Sequence, residues 1–255
     1  MSYCPKYTIT AGMINLVAEI SELTGRLHYS VENAQSLQLR KANRIKTVQG
    51  TVAIEQNSLS EAQVTALLNG KTVLAPPDDI LAVRNAYKAY ERLDTYEPYS
   101  TDSLTDAHGI MMAGLIDDAG QFRTTQAAVA DSQGNIIHIG TLPRDVPGVM
   151  EDIMAWASTE MLHPLIKSCI IHFEIENIHP FSDGNGRMGR LWHTLLLSRW
   201  NSLFAWLPVE SIVHSRQSEY YKAINESDMA NDSSTFIEFM LQAVLDALKE
   251  AEENQ

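Results

Sequence analysis

Apolar residues recur along this chain mostly at intervals of three and four, the spacing of an amphipathic α-helix. Residues 11–28 show it most clearly, with one apolar face made of Met13, Leu16, Val17, Ile20, Leu23 and Leu27. The same reading predicts further helices over about 31–46, Ser60 to Asn69, Pro76 to Leu93, 102–115, 146–158, 164–178, 187–200, 210–228 and 234–252.

Residues 117–146 break this helical pattern. Turn signals at 118–120 and 131–135 flank two short β-leaning stretches, 126–130 and 136–139, which predict a small hairpin. Residues 191–198 are apolar with little polar relief, so their helix should form the buried centre of a bundle. We therefore expect an all-α fold with one β-hairpin.

The composition is that of a soluble globular protein, with 45% hydrophobic and 20% charged residues. A net charge of −13 disfavours nucleic acids and anionic membranes as partners. The apolar runs are too short to span a bilayer and the N-terminus lacks a signal peptide, so a cytoplasmic location is expected. Of the two cysteines, Cys4 lies in a terminus expected to be loose, and Cys169 is predicted to be a buried core thiol.

Residues 178–192, between two predicted central helices, carry the candidate chemistry. The turn at 184–186 can point several backbone N–H groups at one anion, beside the positive end of the following helix. Arg187 and Arg190 are three residues apart, so both side chains can face that anion. Asp183 would repel a bare phosphate unless Mg²⁺ lies between them. Neutral His179 can accept a proton, so the segment suggests phosphoryl or nucleotidyl transfer.

Three other interpretations of these residues are weaker. Gly184, Gly186 and Gly189 satisfy the dinucleotide-binding pattern GxGxxG, but that pattern has meaning only after a β-strand, and a helix is predicted here. A P-loop is excluded because no G-K-(S/T) follows. His172 and His179 lack an obvious third metal ligand, so His172 is expected to be an ordinary helix histidine.

Residues 179–190, HPFSDGNGRMGR, resemble the Fic family motif HxFx(D/E)GNGRxxR at all of its specified positions. The resemblance extends over roughly 40–245. It includes GQFRTTQ at 120–126, similar to the start of the family's flap hairpin, and SEYYKA at 218–223, similar to its adenine-side helix. A Fic fold and transfer of AMP from ATP to a protein hydroxyl are what this resemblance implies. Gly186 fits AMP transfer, because the Doc-type kinases have lysine there.

The resemblance also implies a role for individual residues. His179 would be the general base, Asp183 would hold Mg²⁺, and Phe181 would anchor the loop in the core. The nucleotide-binding residues implied by the motif are Gly184, Asn185, Gly186, Arg187, Gly189 and Arg190, with Arg190 at the γ-phosphate. Weaker candidates for nucleotide contacts are Ile137 and His138 on the hairpin, and Tyr220 and Tyr221 beside the adenine.

A second segment, TVAIEQN at 51–57, resembles the family's inhibitory motif (S/T)xxxE(G/N). Thr51 and Glu55 match it, whereas Gln56 stands where Gly or Asn is expected. The resemblance implies that Glu55 pairs with Arg190 and occupies the guanidinium that the γ-phosphate needs. A solvated helix carboxylate is the plain alternative for Glu55.

These expectations define two regions of the chain. Residues 1–100 are predicted to form a helical region that carries the inhibitory helix, at about 44–57, and packs on the core. Residues 101–255 are predicted to form the Fic core, with its flap at about 126–140. The expected partners are ATP, an unidentified target protein, the protein itself as a substrate, and a second copy in a homodimer.

The sequence leaves three other activities open. Glu55 could position a water that removes AMP from a modified target. The protein could be a non-catalytic nucleotide-binding module, although His179 argues against this. It could also be the toxin of a toxin–antitoxin pair, but an internal inhibitory residue makes an external inhibitor unnecessary.

Overall fold

A computed structural model describes residues 3–28, 36–130 and 136–253 of the chain. Its secondary structure is almost wholly helical, so the expected fold class is confirmed. The α-helices are α1 (Ala11–His28), α2 (Ser36–Ile54), α3 (Glu61–Leu68), α4 (Pro77–Glu91), α5 (Thr101–Met111), α6 (Val146–Thr159), α7 (Pro164–Ile178), α8 (Asn185–Trp200), α9 (Val209–Ser215), α10 (Gln217–Ala230) and α11 (Ser234–Glu253). The strands are β1 (Ala128–Ala130) and β2 (Ile136–Ile139), and single 3-10 turns cover Leu93–Thr95 and Ser202–Ala205.

Helices α7 and α8 form the centre of the bundle, as their apolar sequences predict. Most of their residues are buried, including Cys169 and Trp192. One hydrophobic core lies between this pair and α2, α4, α5 and α6. A second core joins α7 to α1, α9, α10 and α11. The pair is therefore covered on both sides, which holds the segment between α7 and α8 rigidly.

Several local signals were sufficient to place helix ends. α1 has the predicted bounds, and α3 begins with the predicted capping box between Ser60 and Gln63. Pro77 opens α4, as expected. α5 ends at Met111 rather than 115, because Gly114 adopts a left-handed backbone (φ 71°) that a helix cannot include.

Two predictions in the helical regions were wrong. The helix expected over 31–46 and the inhibitory helix expected near 44–57 are one helix, α2, because Val48 and Val52 continue its buried face. The predicted start at 31 lies outside the described residues. The single helix expected over 210–228 is two helices, which meet at the non-helical Arg216 (φ −115°, ψ 32°).

The predicted hairpin is present. β1 and β2 pair antiparallel, with Ala128 opposite Ile139 and an irregularity in the register between Val129 and Ala130. The turn expected at 131–135 lies outside the described residues. At the open end of the hairpin, Gly140 N donates to Ala127 O at 3.1 Å, and Thr141 N donates to Ile178 O at 3.2 Å. The hairpin is thereby joined to the end of α7, beside the segment that carries the motif.

Candidate active site

The loop between α7 and α8 is held in shape by its own side chains. Asn185 bonds the backbone of Phe181 twice: its Oδ1 accepts from Phe181 N and its Nδ2 donates to Phe181 O, each at 2.9 Å. The Phe181 ring is fully buried, which agrees with the anchor role implied for it. Gly184 begins α8 with a left-handed backbone (φ 86°), and a β-carbon there would lie 2.7 Å from Met112 Sδ.

His108, which the sequence analysis missed, clamps this loop from α5. Its ring stacks on Phe181 with centroids 3.7 Å apart. Gly120 N donates to His108 Nδ1 at 2.9 Å, so the ring proton is on Nε2, which donates to Asp183 O at 3.0 Å. Burial lowers the pKa of His108, and the neutral form is the one that makes both bonds. No short motif marks this histidine, because its partners lie far away in sequence.

Arg123 is a second positioning residue that received no role from the sequence. Its guanidinium is buried and bonded to backbone carbonyls. Nε donates to His179 O at 2.6 Å and Nη1 donates to Thr125 O at 2.8 Å, while Nη2 donates to Thr141 O and to Ile178 O. One arginine thus connects the loop between α7 and α8 with both ends of the hairpin. Its place in the segment GQFRTTQ was the available signal.

His179 ends α7 with a left-handed backbone (φ 54°), which turns the chain sharply into the loop. Its Nδ1 lies 3.3 Å from the carbonyl oxygen of Glu176. A carbonyl can only accept, so this contact places the ring proton on Nδ1 and the lone pair on Nε2. The ring is partly exposed. Neutral His179 therefore has the tautomer that a general base requires.

The positive end of α8 faces the exposed carboxylate of Asp183. Gly184 has no side chain with which to cap the first N–H groups of the helix, which suits an anion-binding role. Arg187 Nη2 lies 3.4 Å from both oxygens of Asp183, whose side chain is 61% exposed. Asp183, Arg187 and Glu55 line a cleft of about 230 Å³. Its volume and mixed charge suit part of a polyphosphate with its counter-ion.

The donor set of this cleft also fits Mg²⁺. The ion is commonly bound through one or two carboxylates together with substrate phosphates and water. Asp183 supplies one exposed carboxylate beside the helix N-terminus. No cluster of three or more metal-binding side chains occurs within 3–28, 36–130 or 136–253.

Arg190, one turn into α8, is 2% exposed and bonded entirely to α2. Its Nε donates to Thr51 Oγ1 at 3.0 Å, and its Nη2 donates to Thr51 O at 3.1 Å and to Glu55 Oε1 at 2.6 Å. Burial alone would lower the pKa of Arg190, but Glu55, Tyr220 and Glu176 together outweigh burial and hold the pKa above its usual value. The structure thus brings Arg190 together with Thr51 and Glu55, the two residues of 51–57 that match the inhibitory motif.

The end of α2 presents Glu55 through a Schellman turn. Gln56 N donates to Ala53 O at 2.9 Å and Asn57 N donates to Val52 O at 3.1 Å, while Gln56 adopts a left-handed backbone (φ 63°). Helix α10 secures this end, because Gln217 Nε2 donates to Ile54 O at 2.6 Å. Glu55 is therefore the C-cap residue of α2, held beside α8.

The two tyrosines expected at the adenine lie in different environments. Tyr220 is fully buried and donates to Glu176 Oε1 at 2.8 Å, so it presents no exposed face to a base in this structure. Tyr221 is 40% exposed and donates to Ile54 O at 3.3 Å, which leaves a nucleotide contact there as a prediction. Ile137 and His138 lie on β2, but their side chains are outside the described part of the structure.

The remaining glycines of the motif have close neighbours. A β-carbon at Gly189 would lie 2.5 Å from His172 Cδ2, so this glycine allows α7 and α8 to approach closely. A β-carbon at Gly186 would lie 2.7 Å from Glu55 Oε1. Gly189 therefore serves helix packing, whereas Gly186 lies beside the contact between Glu55 and Arg190. His172 is buried, as expected of an ordinary helix histidine.

Comparison with known proteins identifies the family of this chain. The Fic/DOC family model matches residues 98–197. A Fic family protein from Desulfovibrio desulfuricans G20 has a crystal structure that is 42% identical, with a TM-score of 0.93 over 99% of this chain and 77% of that one. A Fic domain-containing signaling protein from Bacteroides thetaiotaomicron, 17% identical with a TM-score of 0.77, shares the fold. The chain belongs to the Fic family.

Curated relatives are more distant. Protein adenylyltransferase Fic of Nematostella vectensis is 27% identical over 74% of this chain, and that of Drosophila mojavensis is 29% identical over 75%. The chain spans about two fifths of the length of these relatives, 44% and 39% respectively. Within the described residues, each helix is too short or too polar to cross a bilayer.

Proposed function

We propose that this protein transfers AMP from ATP to the hydroxyl group of a protein, and that its own helix α2 keeps this activity low. The observation that carries the proposal is the pairing of Arg190 with Thr51 and Glu55. Arg190 belongs to the motif that also contains His179, so α2 occupies part of the nucleotide-binding machinery itself. The names of the curated relatives support the same chemistry.

In the proposed reaction, His179 Nε2 accepts the proton of the attacking hydroxyl. The hydroxyl oxygen then forms a bond to the α-phosphorus of ATP, and the bond from that phosphorus to the oxygen bridging to the β-phosphate breaks. Pyrophosphate leaves, and AMP remains on the target. The N-terminus of α8 and Arg187 bind phosphate oxygens. Mg²⁺ held by Asp183 would supply charge neutralisation at the phosphates.

Inhibition follows from competition for one guanidinium. Arg190 would bind the γ-phosphate, but Glu55 Oε1 already lies 2.6 Å from Nη2. Breaking a buried pair costs about 3–5 kcal/mol, and the partial exposure of Glu55 reduces that cost. ATP that binds without Arg190 would leave its α-phosphate poorly aligned for attack. The hairpin would hold the target segment by strand addition, which orients a hydroxyl without selecting a sequence.

The test is self-modification of purified Glu55→Gly with Mg²⁺ and ATP labelled at the α-phosphate. We expect at least about tenfold more label than in the wild type, since 1.4 kcal/mol corresponds to a factor of ten and more than this is released. Mass spectrometry should find adenylyl adducts. His179→Ala and Arg190→Ala, each added to Glu55→Gly, should abolish the label.

The labelling pattern distinguishes the alternatives. Label from γ-labelled ATP alone would exclude AMP transfer in favour of a kinase. Equal labelling of wild type and Glu55→Gly would reject inhibition by α2. ATP binding without any label would indicate a non-catalytic nucleotide-binding module.

Removal of AMP from a modified target is a second candidate function. It is favoured by the position of Glu55, which lines the same cleft as Asp183 and is 36% exposed, so a water molecule can reach it. Wild type, but not Glu55→Gly, would then release AMP from protein that was modified beforehand.

A further inference from the structure

A hydrogen-bonded chain of three side chains, two of them buried and the third partly buried, lies beside Arg190. Tyr220 Oη donates to Glu176 Oε1 at 2.8 Å, and His172 Nε2 lies 3.0 Å from Tyr220 Oη. The tyrosine has one proton, which the carboxylate receives, so His172 must donate to the tyrosine from Nε2. His172 Nδ1, which then has only a lone pair, has no hydrogen-bond partner among the described residues. The chain has a definite direction, from His172 through Tyr220 to Glu176.

The chain ends beside the guanidinium that α2 occupies. A β-carbon placed at Gly186 would lie 3.0 Å from Arg190 Nη1 and 3.1 Å from Glu176 Oε1. The cation and the carboxylate therefore face each other across the small gap that Gly186 leaves. Nη1 has no hydrogen-bond partner among the described residues, although it is buried. A buried N–H group without a partner attracts any acceptor that can reach it.

We propose that Tyr220 is a positioning residue that holds the Glu176 carboxylate away from Arg190. The proposal rests on the proposed function, in which the γ-phosphate needs this arginine. Glu176 is the second carboxylate close to Arg190, and like Glu55 it borders the gap at Gly186. If the hydroxyl of Tyr220 did not engage it, Glu176 would turn across the Gly186 gap and bind Nη1. A second inhibitory ion pair would then persist after Glu55 had left.

This arrangement gives Tyr220 a role different from an adenine wall. Its ring is buried among Phe236, Phe239 and Tyr221, which fixes the direction of its hydroxyl. His172 is fixed in turn by the close approach of α7 to Gly189. Glu176 is therefore restrained by rigid partners, whereas Glu55 lies on the end of a helix.

The experiment measures ATP and ADP binding by titration calorimetry in a Glu55→Gly/His179→Ala parent, which lacks the α2 carboxylate and the general base. ADP lacks the γ-phosphate and serves as the internal reference. Adding Tyr220→Phe should weaken ATP binding about tenfold and change ADP binding by less than about twofold, a difference of about 1.4 kcal/mol. Adding Glu176→Gln to that variant should restore the ATP preference to within about threefold of the parent.

Two further variants control for packing. Tyr3→Phe removes another tyrosine hydroxyl that donates to a glutamate, Glu174 Oε2 at 2.9 Å, and it should leave the ratio of ATP to ADP affinity unchanged. Glu176→Gln in the parent, with Tyr220 intact, should leave that ratio unchanged or raise it. Melting temperatures without nucleotide check that each variant is folded.

An unchanged ratio in Tyr220→Phe would overturn the proposal, and so would a loss that Glu176→Gln does not restore. A lower ATP preference in Glu176→Gln alone would also overturn it, because the carboxylate would then assist the nucleotide. A parent that binds neither nucleotide would instead contradict the proposed function. The two failures are therefore distinguishable.

Discussion

The left-handed backbone of Gln56 explains why the inhibitory motif has glycine or asparagine after its glutamate. It occupies the C′ position of the Schellman turn with φ 63°, a conformation that costs most side chains about 1–2 kcal/mol. Glu55 can bond Arg190 only while this turn is formed. The departure from the motif at Gln56 should therefore weaken the hold of Glu55 on Arg190.

Replacing Gln56 by glycine tests this directly. Gln56→Gly removes the left-handed strain, and self-labelling from α-labelled ATP should fall by about fivefold, the equivalent of 1 kcal/mol. Gln56→Ala keeps the strain and should match the wild type. Faster labelling in Gln56→Gly would show that flexibility at this turn outweighs strain.

At the scale of elements, α2 contacts α9 so closely that only glycine fits at position 50. A β-carbon on Gly50 would lie 2.7 Å from the carbonyl carbon of Glu210 and 2.9 Å from Ser211 N. Both are backbone atoms, which cannot turn aside as a side chain can. The spacing of these two helices therefore fixes where Thr51 meets Arg190.

Gly50→Ala should force α2 away from α9. We expect the free energy of unfolding to fall by about 1–3 kcal/mol, as for other overpacked contacts, and self-labelling to rise because Thr51 moves with the helix. Chemical denaturation and α-labelled ATP provide the two measurements. Gly25→Ala is the matched control: no atom lies within 4 Å of its added carbon, and better helix propensity should add up to about 1 kcal/mol. Reduced stability with unchanged labelling would contradict the link between α9 and inhibition.

The sequence predicted most elements and the motif residues because their signals are local. Capping residues, Pro77 and the turn at 184–186 each act within a few positions of themselves. His108, Arg123 and Tyr220 could not be assigned in this way, because their partners in α7 and the following loop are 44 or more residues away. Likewise, no glycine or proline in 210–228 marks the point at which this stretch divides into two helices.

At the scale of the whole molecule, hydrogen bonds attach the N-terminal segment to α6 and α7 from Tyr3 onward. This segment was expected to be loose. Tyr3 N donates to Asp152 Oδ2 at 2.7 Å and its hydroxyl donates to Glu174 Oε2 at 2.9 Å. Lys6 O accepts from Ser233 N at 2.8 Å. This segment covers Glu174, and burial raises the pKa of that carboxyl to about 7, although the bond from Tyr3 acts in the opposite direction.

Glu174 and the buried histidines make opposite contributions to stability against pH. Because the folded protein keeps Glu174 protonated while the unfolded chain ionises, stability falls as the pH rises from about 4.5 to about 7. Burial lowers the pKa of His193 to about 4, so the unfolded chain binds more protons and stability rises from about pH 4 to 6.5. In the wild type, these two changes of stability with pH therefore oppose each other.

In Glu174→Gln, the increase in stability with pH that His193 contributes should no longer be opposed. At pH 4 the variant and the wild type should be similar, and at pH 8 the variant should be more stable by about 3 kcal/mol, because the shift of Glu174 no longer acts. Urea denaturation at pH 4, 5.5 and 8 measures this. The exposed Glu97→Gln should follow the wild type at each pH. A variant that is less stable than the wild type at pH 8 would show that the carboxylate is stabilising in the folded protein.

Thr51 lies in the final turn of α2 and Glu55 is the C-cap residue that follows it, which sets how fast Arg190 can be released. Releasing Arg190 requires the fraying of a single helical turn, an event that takes about a microsecond rather than the time needed to separate domains. Under the proposed inhibition, Arg190 is therefore released and bound again many times each second. A regulator would need only to bind the released form and increase a population that already exists. The strength of inhibition therefore depends on the fraction of molecules in which Arg190 is released, and not on the rate of release.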